Sequence, residues 1–132
     1  MTIIVLNFKT YRESTGSEAL RLAEICEDIA RDYSVQMIVA PQTADIHAIS
    51  QKVKIPVYAQ HVDGVGYGGF TGHVTAASLK AAGARGSLIN HSERRIKLAD
   101  LEASLSACRD FALASIICTN NVATTRAAAA LE

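Results

Sequence analysis

Two short stretches hold residue types suited to holding an anionic oxygen and to donating a hydrogen bond to a carbonyl. In "LINHSERR", Leu88 to Arg95, an imidazole, a hydroxyl, a carboxylate and two guanidinium groups follow directly on an apolar run. In "LNFKT", Leu6 to Thr10, an amide and an ammonium follow another such run, as Asn7 and Lys9. Residues two apart in an extended segment point to the same side, so Asn7 and Lys9 are expected to meet an anionic oxygen together. His91 stands where a turn or helix begins, with Ser92 as its cap. Free N–H groups and positive partial charge at such an amino end disfavour imidazolium. A neutral ring there donates a hydrogen bond to a carbonyl oxygen and acts as an electrophile. Glu93, Arg94 and Arg95 read as structural, an arginine gripping a carboxylate to fix the loop.

Other chemistries find less in the chain. Gly64, Gly66 and Gly69 have G-x-G-x-x-G spacing, but no acidic residue follows about 20 positions on, where a ribose needs one. These glycines read instead as a long loop requiring positive φ. His47, His61, His73 and His91 lack the short spacing of metal ligands, so no metal is expected. The nucleophile elbow G-x-S-x-G does not occur. Cys118 sits at a strand tip, where burial is the commoner fate of a thiol.

The elements that must position these groups alternate in kind. Apolar, β-branched runs at Ile3 to Leu6, Gln36 to Ala40, Pro56 to Ala59, Ser87 to Asn90 and Ser115 to Cys118 read as strands. Segments of helical period lie between them. The first carries Ala19, Leu22, Ala23, Cys26, Ile29, Ala30 and Tyr33, with Thr15 and Glu18 as a capping box. The second carries Ile46, Ile49 and Val53 after a Thr43 cap, and the third runs from about Val74 to a stop at Gly83. The fourth has Leu101, Leu105, Cys108 and Ala112 on one stripe, and the fifth begins at an Asn121 cap. Continuous apolar strands fit a parallel sheet covered by helices, so the class is α/β. An open doubly wound sheet and a (β/α)₈ barrel both remain open at this point. In either, the polar strand tips gather at the carboxyl edge of the sheet, where α/β folds build their sites.

The 132 residues, 49% of them hydrophobic, suit one domain over residues 1–132. Thirteen basic residues balance thirteen acidic ones, so no field of one sign attracts nucleic acid or an anionic membrane. The longest apolar runs fall far short of the roughly 20 residues that span a bilayer. Three widely spaced cysteines fit a reducing cytoplasm.

"NFKTY" at the amino end, "AQHVD" with "GGFTGH" after the third strand, "LINHSERR" after the fourth and "CTNN" after the fifth resemble the triosephosphate isomerase family, in its shorter archaeal form. The resemblance implies a TIM-barrel fold of which about five of eight βα units are present. It implies interconversion of dihydroxyacetone phosphate and D-glyceraldehyde 3-phosphate, in glycolysis and gluconeogenesis, with no cofactor. His91 matches the catalytic histidine. Asn7 and Lys9 match the substrate-binding amide and ammonium, with Lys9 also catalytic. Gln60 matches a site-adjacent amide and Glu93 an auxiliary carboxylate. Thr71 matches the loop that reaches into a partner subunit, so the full-length form is expected to be a homo-oligomer, dimeric or tetrameric. Closed barrels run to about 250 residues and at least roughly 200. Nothing here matches the family's "EPPELIG"-like segment with its catalytic glutamate, and Glu132 is no substitute. The chain alone is therefore expected to be inactive. The competing expectation is a non-enzymatic half-barrel that self-associates or pairs with a complementary half.

Overall fold

The structure, a computed structural model, describes residues 2–131. Five strands, β1 (Ile3–Asn7), β2 (Gln36–Ala40), β3 (Tyr58–Ala59), β4 (Gly86–Ile89) and β5 (Ala114–Ile117), alternate with helices. These are α1 (Ser17–Asp32), α2 (Ile46–Ser50), α3 (Ala76–Ala81), α4 (Leu98–Asp110) and α5 (Val122–Ala129). Every strand pairing is parallel, β1 on β2, β3 on β4 and β4 on β5. The Val39–Val57 bridge joins β2 to the segment entering β3. The strands thus lie in chain order with no reversal. Right-handed crossovers that always step in one direction place every helix on the same face. This is the winding of a barrel wall, whereas a doubly wound sheet needs a switch point.

One covered face gives one core. Ile46, Ile49, Leu79 and Leu105 from the helices pack with Val39, Ala59 and Ile89 from the strands, all buried. All four residues of β4 are buried, while Ile3, Ile4, Val5 and Leu6 of β1 are exposed. The expected Leu101, Leu105 and Cys108 stripe is buried on α4, but Ala112 falls beyond its end. β3 is shorter than expected because Pro56 has no N–H to pair. Its carbonyl instead accepts from the Val39 N–H at 3.1 Å.

Two expected caps are corrected. Gly16, at φ +63°, precedes α1, and the Thr15 hydroxyl turns back to donate to the Tyr11 carbonyl at 2.8 Å, so no capping box forms. Thr43 opens a 3₁₀ turn, Thr43–Asp45, that runs into α2 without a side-chain cap. Asn121 does cap α5, accepting from the Thr124 N–H at 2.8 Å. Gly83 closes α3 at φ +97°, with the Ala84 N–H bonded to Leu79 O and the Gly83 N–H to Lys80 O, both at 3.0 Å. The same closure recurs after α1 and α4, where Ser34 at φ +52° and Ala112 at φ +50° take the left-handed position.

Candidate active site

The tips of β1 and β4 build a cavity of about 360 Å³ lined by Asn7, Lys9, Thr10, Tyr11, Gln60, His91, Glu93 and Arg94. Two stretches far apart in sequence are thus brought to one place by the sheet. The route taken by β1 differs from the expected extended one. Its pairing stops at Asn7 and Lys9 turns left-handed, φ +52°, with its N–H on Asn7 Oδ1 at 2.9 Å. Gln60 holds that turn from the tip of β3. Its Nε2 donates to the carbonyls of Lys9 and Ala40, each at 2.9 Å. The side chain expected to be merely site-adjacent therefore ties three strand tips together.

A turn, not a helix, follows His91. The Arg94 N–H bonds to His91 O at 2.8 Å, and α4 starts only at Leu98. Of the two expected alternatives it is the turn that forms, and it presents a single amide to the ring. The Glu93 N–H lies 3.2 Å from His91 Nδ1. A backbone N–H only donates, so Nδ1 accepts and the proton of the neutral ring sits on Nε2. Nε2 has no protein partner among the described residues. Glu93 Oε2 also stands 3.5 Å from Nδ1, a competing contact that favours the opposite tautomer. The amide has the better geometry, and the carboxylate is already engaged. Glu93 Oε1 accepts from Lys9 Nζ at 3.0 Å. This bond and the Glu93 charge raise the Lys9 ammonium above its ordinary value, so it stays cationic.

The arginines do not grip a carboxylate as expected. Arg95 Nη1 donates to Asn90 O at 2.8 Å and to Cys118 O at 3.0 Å, joining the tips of β4 and β5. Arg94 lines the cavity instead of serving only the loop. Burial pushes the Cys118 thiol up, with Arg95 opposing, which keeps it a poor nucleophile.

The glycine-rich loop is anchored away from this cavity. Asp63 accepts from the Val74 N–H at 2.7 Å and pairs with His61 Nε2 at 2.8 Å. Burial alone would raise the Asp63 carboxyl. The His61 bond, the Val74 N–H and nearby imidazole charge outweigh it and hold the carboxyl low. Positive φ occurs in the loop at Gly68 and Gly72 and not at the three fingerprint glycines. Gly64 is required for another reason, since a Cβ there would collide with that of Ala103 on α4. Thr71 is exposed on the loop and does not line the cavity.

The triosephosphate isomerase family model matches residues 2–132. The chain belongs to this family. It is 52% identical to the triosephosphate isomerase of Methanosarcina acetivorans, over 98% of this chain and 58% of that protein. Identity to the Methanothermobacter thermautotrophicus triosephosphate isomerase is 55%, over 98% of this chain and 56% of that one. The crystal structure of triosephosphate isomerase from Bartonella henselae superposes with a TM-score of 0.79 at 26% identity, covering 94% of this chain and 54% of that one. The chain thus spans less than three fifths of the curated relatives it matches.

Of the residues expected in a triosephosphate isomerase site, Asn7, Lys9, Gln60, His91 and Glu93 meet at one cavity and Thr71 stands apart. Thr10 and Tyr11 were not anticipated. The left-handed turn at Lys9 carries both into the lining, and no local pattern announces such a turn at a lysine. Glu132 lies outside the described residues.

Proposed function

We propose that this chain carries the electrophilic half of a triosephosphate isomerase site. The complete site interconverts dihydroxyacetone phosphate and D-glyceraldehyde 3-phosphate in the cytoplasm, without a cofactor. The observation that carries the reading is the meeting of Lys9, His91 and Glu93 at one cavity, with Nδ1 of the histidine occupied by a backbone amide. Removing a proton from the carbon beside the carbonyl moves charge onto the carbonyl oxygen. An Nε2–H donor and an ammonium aimed at that oxygen stabilise the enediolate more than the ketone, and this difference lowers the barrier.

Proton abstraction itself needs a base. Glu93 is held by Lys9 at 3.0 Å, which suits a positioning carboxylate better than a base. A positioned general base contributes about 10²–10⁴-fold, so the 132-residue chain by itself is inactive and the base comes from a complementary part of the barrel. In the full-length form, the loop bearing Thr71 reaches a partner subunit of a homo-oligomer. Titration of the chain with dihydroxyacetone phosphate tests the site, read by the NMR signals of the His91 ring. Saturable shifts that vanish in Lys9→Met are expected. Identical shifts in Lys9→Met would contradict the assignment.

A second reading rests on one observation. Four consecutive apolar residues of β1 are exposed, Ile3 by 57%. Such an edge favours a half-barrel that self-associates. Sedimentation separates the two readings, since self-association alone gives discrete oligomers that bind no triose phosphate.

A further inference from the structure

We infer that Asn90 is the positioning residue that fixes the His91 ring in its Nε2–H tautomer, an inference that rests on reading His91 as the carbonyl electrophile. Asn90 is buried, 6% exposed, and takes φ +61°. Two of the other non-glycine residues at positive φ, Ser34 and Ala112, close helices. Asn90 closes none. It turns the chain out of β4 immediately before the histidine, and asparagine tolerates this region better than most side chains.

Its amide then ties down both ends of the loop. Nδ2 donates to Cys118 O at the tip of β5 at 3.0 Å, and Oδ1 accepts from the Ile96 N–H at 3.0 Å. Its own carbonyl takes Arg95 Nη1 at 2.8 Å, and the same Nη1 reaches Cys118 O. Residues 91–96 are thereby closed on a single buried side chain and clamped to the neighbouring strand. Within that closed loop the Glu93 N–H is kept 3.2 Å from His91 Nδ1. This contact decides the tautomer against the Glu93 carboxylate at 3.5 Å. A loop free to shift by a few tenths of an ångström would let the carboxylate take over and place the proton on Nδ1. The ring would then offer an acceptor to the carbonyl instead of a donor.

Glycine at this position keeps the turn and deletes the clamp, and aspartate keeps the turn and the Ile96 bond but loses the bond to Cys118. The test labels the histidines of the full 132-residue chain with ¹⁵N and reads the His91 tautomer at a pH where the ring is neutral. The wild type is expected to hold Nε2–H. Asn90→Gly should melt within a few degrees of it yet lower the Nε2–H to Nδ1–H ratio roughly tenfold, the effect of losing one hydrogen bond's bias. Asn90→Asp should fall between them, and it supplies the reading if the glycine variant does not fold. A wild-type ratio in the folded variants, or mixed tautomers in the wild type, would overturn the inference. No turnover is needed. Failure of the isomerase reading appears separately, as absent triose phosphate binding with the tautomer shift intact.

Discussion

Ile89 near the tip of β4 is fully buried, whereas Leu6 near the tip of β1 is 37% exposed, although both end apolar parallel strands that deliver a site residue. β4 has a strand on each side and α4 packed against it. Among the described residues β1 pairs only with β2. The composition of a strand thus fixes its conformation, but its neighbours fix its burial. His91 accordingly rests on a finished part of the scaffold and Lys9 on an unfinished one, held by the Gln60 amide and the Glu93 carboxylate.

The largest effect expected from this contrast is at the centre. Ile89→Ala should cost about 2–5 kcal/mol in chemical denaturation, as for other fully buried large-to-small changes. A smaller loss should follow at the loop that leaves β3. Asp63→Ala removes the acceptor of the Val74 N–H and the partner of His61, at a cost of about 1–3 kcal/mol. Its pH dependence has a definite sign. A carboxyl lowered in the folded state stabilises at pH above its unfolded value, near 3.9, and that contribution disappears as pH falls through the folded value. Wild type and Asp63→Asn should therefore differ above about pH 5 and converge in acid.

Beside the β5 edge, Ala112→Gly should raise stability by about 1 kcal/mol by relieving a left-handed alanine. Ile4→Ala on β1 should change the stability of the chain alone by no more than about 0.5 kcal/mol. With a complementary half of the barrel bound, the same change should approach the cost at Ile89. Equal costs at the two strands in the chain alone would break the comparison.

Much of this was legible in the sequence, for reasons that differ between elements. The five strands and the α4 stripe follow from local pattern, and Gly83 and Asn121 mark their helix ends by their own chemistry. The meeting of Lys9 with His91 was legible only through the shared carboxyl edge and the family resemblance. The capping box failed because Thr15 found the Tyr11 carbonyl instead. That a turn and not a helix follows His91 was left open, because the bonds that close it come from Asn90, Arg95 and the distant Cys118 carbonyl. The close approach of Gly64 to α4 is likewise a tertiary fact. Barrel winding, undecided by unit length, required the strand order itself.

The most direct test is an isomerase assay of the 132-residue chain, alone and mixed with the remaining portion of a curated relative. Division of the site between two parts of the barrel predicts no activity above a His91→Ala control for the chain alone, and activity dependent on both His91 and Lys9 once the complement is bound. Turnover by the chain alone above that control would contradict it.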